Sequence, residues 1–272
     1  MTALPALSAP QTRHQRSRGE VAAAWHMADG QARLHRLRQA GSARAVALPG
    51  PELVVLNTSG GLTGGDRLSV TLDVGAGCRV TATTQTAERL YRAGEGRAQM
   101  DLAMAVGAGG HLDWLPQETI LFDGCAATRT TTIDLGPDAG CLMLETLVMG
   151  RAAMGETLSR VALRDTRHIT RNGRSVHLEP LLLDPARIAP HAAGLAGARA
   201  ICTLVMVTSG AEDAIGPARA ALTDPQVTAA ASAWDGRLVV RLMAPDAWPL
   251  RRQLARLLAV LRHSPLPRVW QS

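Results

Sequence analysis

The sequence predicts a mainly β fold of stacked β-strands, resembling a β-helix or a layered β-sandwich, with two helices in the C-terminal third. Three observations carry that prediction. Strand-like segments alternate apolar and polar residues with a period of two, as at Leu68, Val70, Leu72 and Val74. A glycine turn recurs, Asp73-Val-Gly-Ala-Gly77 returning as Ala105-Val-Gly-Ala-Gly109 and, more weakly, as Leu135-Gly-Pro-Asp-Ala-Gly140. Helical spacing enters only late, over 211–222 and 248–261. A unit of strand, glycine turn and strand cannot bury its apolar face alone, so such units stack on one another.

In chain order, residues 1–18 are expected to be disordered and 19–272 to form a single β-rich domain. Val21–Ala28 and Arg33–Leu37 flank Asp29-Gly30, a strong hairpin signal. Pro49-Gly50-Pro51 interrupts the chain before Leu53–Leu56, a β-branched and leucine run that reads as a buried strand. That strand empties into Asn57–Asp66, which holds two glycine pairs, Gly60-Gly61 and Gly64-Gly65, and then gives way to the alternating strand. Asn57, Thr58, Ser59, Thr63 and Asp66 are thereby mounted on a tight loop between core strands, where functional groups are commonly held. The bland reading is a double turn whose backbone amides are capped by Asp66. Further on, Glu118–Phe122 and Ala126–Leu135 flank Asp123-Gly124, and Cys141–Val148 is another strand. Hairpins are expected at Asn172-Gly173 and Asp235-Gly236, with a strand over Ala200–Val207 and a helix over Ala211–Leu222. In the last helix Trp248, Leu250, Leu254, Leu257, Leu258 and Leu261 share one face, with Arg251, Arg252, Arg256 and Arg262 opposite. Pro245 and Asp246 start this helix, and Pro265 stops it.

Composition excludes several function classes. Glycine turns make anion nests, but a P-loop needs Gly-Lys-Ser/Thr opening a helix. Here Asp66 and a strand follow Gly65, and all 29 basic residues are arginine, so lysine Schiff-base chemistry is excluded as well. A net charge of +6 and a pI near 10.3 raise nucleic-acid binding. The arginines are scattered, however, and 3% aromatic content leaves few platforms for base stacking. A basic face meeting an acidic protein partner fits at least as well. Cys78, Cys125, Cys141 and Cys202 form no C-x-x-C pair and are expected to be buried free thiols. No secretory h-region and no membrane-length apolar run is found, so a soluble, cytoplasmic protein is expected.

The chemistry left is that of carboxylates. No G-x-S-x-G elbow, H-E-x-x-H or G-x-G-x-x-G fingerprint is present, and the dispersed histidines, His111 included, offer no tight zinc spacing. Asp66 closes the glycine loop, Glu118 follows Pro116, and Glu156 follows Gly150-Arg151. Glu145 lies inside the apolar run Leu142–Val148, on the face of Met143 and Leu147. A buried carboxylate must be paired, protonated or bound to a cation. One reading is a salt bridge to Arg151 or Arg89; the other is a polar interior passage for a cation.

Together these segments resemble the urease accessory protein UreD (UreH) family. The matching motifs are Asn57-Thr-Ser-Gly-Gly-Leu-Thr-Gly-Gly-Asp66, Thr83-Thr84-Gln85, Tyr91-Arg92, Leu115-Pro-Gln-Glu-Thr-Ile-Leu-Phe122, and Glu145 with Met149-Gly150-Arg151-Ala-Ala-Met-Gly-Glu156. They cover residues 20–160, with a looser likeness beyond; Arg89 stands where the family commonly carries lysine. The resemblance implies a β-rich, non-catalytic scaffold that binds a UreF-type accessory protein and, through it, a UreG-type GTPase. Such a scaffold docks on apo-urease so that nickel, in transit and never held as a tight cofactor, reaches the active site. Asp66, Glu145 and Glu156, with Glu118 as a weaker fourth, are the candidates to line a nickel passage. Arg251, Arg252 and Arg256 are the candidates to meet a partner; no nucleic acid or membrane is implied. The alternative is a β-solenoid carbohydrate-active enzyme using Asp66 and Glu118 as paired carboxylates. With no cradle, base or nucleophile to assign, the purified chain should show no turnover and no saturable GTP or ATP binding by calorimetry. Saturable binding of either nucleotide would refute that expectation.

Overall fold

Each recurring glycine turn passes the chain from one sheet to the facing one. The computed structural model describes residues 15–189, 194–262 and 264–271. The expectation of disorder over 1–18 therefore falls outside the described residues for 1–14, while Gln15–Ser17 lead directly into β1 (Arg18–Ala28). β1 and β2 (Gln31–Gly41) form the hairpin at Asp29-Gly30, and β3 (Ala43–Leu48) pairs antiparallel with β4 (Glu52–Asn57). From β4 the chain winds as a solenoid. It crosses to β5 (Arg67–Val74), returns to β6 (Arg79–Thr84), and passes through β7 (Glu88–Leu90) to β8 (Ala98–Val106). The next coil runs through β9 (His111–Leu115), β10 (Thr119–Leu121) and β11 (Cys125–Leu135), and the last through β12 (Gly140–Met149) to β13 (Val161–Arg171).

Because every coil turns the same way, strands above one another run parallel. β1, β5, β8, β11 and β13 build the first sheet, and β4, β6, β9 and β12 the start of the second. A third, short ladder runs from Leu62 through β7 and β10 to the end of β12. Antiparallel strands finish the fold: β14 (Arg174–Leu183) closes the first sheet, and β15 (Ala200–Val207), β17 (Arg237–Ala244) and β16 (Thr228–Trp234) extend the second. A four-residue helix, α1 (Pro185–Ile188), follows β14; α2 (Ile215–Ala221) and α3 (Ala247–Leu261) are the two C-terminal helices.

The three glycine turns are stacked copies. Gly107 N–H donates to Val74 O at 2.7 Å, and Gly136 N–H to Val106 O at 2.8 Å, so each turn hangs from the one below. At Gly107 an added Cβ would lie 2.6 Å from the Ala76 nitrogen, which explains why the repeat keeps glycine there.

Two cores result. One fills the space between the sheets, with Val70, Leu72, Leu102, Ile133 and Met143 among its members. The second lies on the outer face of the second sheet, where Leu142, Leu144, Leu204 and Val240 meet Leu250, Leu254, Leu257 and Leu258 of α3. β12 is thus covered on both faces, which is why it reads as an almost unbroken apolar run. The face expected for α3 needs two corrections. Trp248, in its first turn, is exposed, and Arg262 is buried, because the helix ends at Leu261 and Arg262 turns inward to Asp113.

Replacing Gly107 with alanine should cost at least about 1 kcal/mol, since backbone must move to admit the methyl group. Gly94, whose added Cβ meets nothing within 4 Å, is the control. Urea denaturation should separate the two variants, and equal midpoints would remove the stacking argument.

Candidate functional site

The loops returning from the second sheet to the first lie one above another, and the sequence motifs meet there. In the glycine loop, Asn57 Oδ1 accepts from the Ser59 N–H and its Nδ2 donates to Glu88, while Thr58 is tied to Ser42 O. Gly60, Gly61 and Gly65 have positive φ; Gly64 does not, and is required because a Cβ there would lie 2.1 Å from Glu95 O. Tyr91 lies against Gly61, where an added Cβ would be 2.4 Å from its ring, and its hydroxyl donates to Gly60 O. Tyr91 packs edge-on against Phe122 at 4.8 Å, and Arg151 sits over the Phe122 ring at 4.5 Å. These are the chain's single tyrosine and single phenylalanine. Arg151 is in turn held by Glu156 at 2.9 Å, and Arg92 reaches Asp123 at 3.5 Å. Asp123 also accepts from the Ser159 and Arg160 amides, which hold its carboxyl far below the usual range. Tyr91, Arg92, Arg151 and Met154 face solvent along this strip.

Not every predicted residue joins it. Thr84 Oγ1 accepts from Gln117 N–H inside the stack of loops, Gln85 is exposed, and Gly150 adopts positive φ as β12 ends. Asp66 is buried, with its two carboxylate oxygens accepting from the Ser17 and Thr63 amides. Glu118 is half-buried, 3.9 Å from Arg251. Asp66 and Glu118 thus have separate partners and are not brought together as an acid–base pair.

Glu145 is the interior residue. It points between the sheets, but its partner is neither Arg151 nor Arg89: Arg129 of β11, on the facing sheet, approaches to 2.6 Å. Arg129 also makes a bidentate contact with Asp165 at 2.9 and 2.7 Å and donates to Thr119. Asp165 pairs with Arg167 at 2.5 Å, Arg167 with Glu179 at 2.9 Å, and Glu179 with Arg241 at 2.9 Å. Burial pushes the Glu145 carboxyl up, opposed chiefly by the Arg129 guanidinium. Trp114 Nε1 and the Thr131 hydroxyl complete its hydrogen bonding. Glu145, Arg167, Glu179 and Arg241 border a cavity of about 330 Å³ beside Cys202 and Thr203. Sequence reasoning missed Arg129, Asp165 and Arg167, although all three occupy the inward phase of their strands. A charge on the apolar phase was the available signal.

The α3 arginines differ from one another. Arg251 bonds Gln117 and Val269 O and lies 5.0 Å from the Trp270 ring centroid, so it fastens the C-terminal segment. Arg252 and Arg256 both turn to the buried Asp224, at 2.9 and 3.6 Å, yet keep about half of each side chain in solvent. The four cysteines are buried free thiols, and burial pushes Cys141 and Cys202 up to about 12, which leaves them inert. Among the described residues no group of three or more His, Cys, Asp or Glu could hold a metal ion.

Comparison with known proteins bears on this arrangement. The family model of the UreD urease accessory protein matches residues 17–271, so the likeness runs through the C-terminal third. The urease accessory protein UreD of Cereibacter sphaeroides is 60% identical over 98% of this chain and 99% of its own. That of Paracoccus denitrificans is 50% identical over 95% and 94%, and that of Rhizobium leguminosarum bv. viciae 42% over 96% and 98%.

Burial pushes the Glu179 carboxyl up, but His177 at 3.9 Å and the Arg167 and Arg241 guanidiniums outweigh it and hold the group at about 2, below its ordinary 4.5. A depressed carboxylate contributes stability that is present above pH 4.5 and is lost as pH falls toward 2. Solvent screening of the part-exposed pair with Arg241 keeps the contribution to about 1–3 kcal/mol. Glu179→Gln should therefore destabilise the protein at neutral pH and flatten its acid unfolding profile. A variant with the same pH profile as the parent would assign the acid transition elsewhere.

Proposed function

The chain belongs to the UreD urease accessory protein family, and from that premise we propose that it is a non-catalytic scaffold of urease maturation. In this reading it docks on apo-urease and, with UreF-type and UreG-type partners, helps bring nickel to the active site. The observation that supports it best is the strip of Tyr91, Arg92, Arg151 and Met154, presented on a rigid stack of loops. Tyrosine, arginine and methionine are enriched at protein interfaces, and a side chain already locked by packing loses little freedom on binding. A second exposed surface is Arg252 and Arg256 on α3, proposed to meet the UreF-type partner.

Nickel passage rests on Glu145, the one of the four candidate carboxylates that borders the 330 Å³ cavity, which opens to solvent beside Arg241. Oxygen donors bind nickel more weakly than imidazole or thiolate, which suits a site of transit. Glu156 and Asp66, each already hydrogen-bonded, would serve at most as supports of the walls.

Co-expression with urease and the other accessory proteins tests this reading. The pair Arg92→Ala/Met154→Ala and the pair Arg252→Gln/Arg256→Gln, which spare the packed rings and put no like charge against Asp224, should each melt close to the parent, and each should lose co-purification with at least one partner. Full retention of every partner by both variants would sink the scaffold proposal. Arg251→Glu is a poor probe, because it breaks internal contacts. Glu145→Gln removes one partner of a buried ion pair and should cost about 3 kcal/mol or more. If it still folds and assembles, the urease it matures should contain less nickel. Full nickel loading would remove Glu145 from any passage.

A further inference from the structure

A second cavity, of about 830 Å³, opens between the outer face of the second sheet and the C-terminal segment that follows α3. Its lining mixes apolar residues, among them Leu261, Leu266 and Pro265, with charged ones. Arg79 at the start of β6 and Arg268 of the last 3-10 turn both line it and are exposed. Neither guanidinium makes a side-chain hydrogen bond or ion pair among the described residues.

Arg262, Asp113 and His111 are committed to one another. Arg262 donates to Asp113 at 2.8 Å and to the Thr81 hydroxyl at 3.0 Å, which anchors the C-terminal segment to β6 and β9. Asp113 also holds His111 Nε2 at 3.0 Å and so fixes that ring at the cavity edge. On the β4 side, the half-buried Glu52 has its Oε1 buried with no hydrogen-bond partner among the described residues; burial pushes its carboxyl up, and the nearby Arg262 and Arg268 guanidiniums oppose that. A buried acceptor without a donor is costly, so a group that donates to it gains more there than in water.

We propose that this cleft binds a small dicarboxylate with an apolar body and an amide or hydroxyl donor. Arg79 and Arg268 take the acid groups, Leu261, Leu266 and Pro265 carry the apolar body, and the donor reaches Glu52. A few placed polar groups among apolar ones are the ordinary make-up of a ligand pocket, and the volume lies within the usual range. Arginine suits carboxylates because its planar fork offers paired donors. The site is independent of urease maturation and of nickel.

Calorimetry on the full chain tests it with N-benzoyl-L-glutamate, which has two carboxylates, an amide N–H and an apolar ring. Saturable one-to-one binding is expected. Arg79→Ala/Arg268→Ala, whose melting should match the parent, should weaken it at least about tenfold. Citrate, which lacks the apolar body, should bind at least about tenfold more weakly than benzoylglutamate. No saturable binding of benzoylglutamate, equal binding by the double variant, or equal binding of citrate would each overturn the proposal. Should the double variant fail to fold, Arg79→Ala and Arg268→Ala tested singly must each weaken binding.

Discussion

The coil pitch is the constraint on which the rest of this structure depends. One turn of the solenoid takes about thirty residues, so a residue's neighbour one coil up is far away in sequence and adjacent in space. The hydrogen bonds record that interval repeatedly. Asn57 and Glu88, Gly60 and Tyr91, and Trp114 and Glu145 are each 31 positions apart; Thr83 and Leu115 are 32 apart. Thr84 to Gln117 and Asp123 to Glu156 span 33. Parallel pairing sets this pitch, because a one-residue slip would turn every inward side chain outward. The stacked glycine turns guard it at one end of the coils and the packed aromatic strip at the other.

Within that frame the interior ions set how the two sheets face each other. Desolvating Arg129 and Glu145 costs several kcal/mol per ion, and only close geometry offsets it. The geometry is close: Arg129 reaches Glu145 across the core and Asp165 along its own sheet, and Thr119 takes one more donor. Leucines in these places could bury as much area, but they would leave the sheets freer to slide. An ion pair with fixed donors and acceptors accepts one registration of β11 against β12.

Much of this was legible in the residues. Period-two alternation located the strands, the repeat located the turns, and Glu145 announced itself as a carboxylate on an apolar face. The repeat was readable because stacking demands the same small residue at the same point of every coil. Charges on the inward phase of β11 and β13 were also visible, though their partners were not. Other contacts had no local signature at all. Arg251 meets Gln117 across 134 positions, and Arg262 meets Asp113 across 149. Helical spacing placed both arginines on a polar face, and the closure of the C-terminal segment over the second sheet then took them inside. Trp248 shows the converse, an apolar residue at the right spacing that stays exposed in the first turn of α3.

The ion network also constrains how a cation could move through the interior, on the proposal that nickel does so. Along the chain from Glu145 to Glu179, two guanidiniums, Arg129 and Arg167, alternate with three carboxyl groups, and burial opposes the charge on Glu145. His177 and Arg241 flank Glu179 at the outer end. A divalent cation entering from the Glu179 side would meet favourable charge only where an arginine moved aside. Arg129 has somewhere to go, since its contact with Asp165 is bidentate and survives the loss of Glu145. Glu145 would then be freed while Arg129 remained paired. A carboxylate released in that way binds only transiently, because the displaced guanidinium stays next to it and competes to return. Transit without trapping would follow from that competition rather than from an absence of ligands.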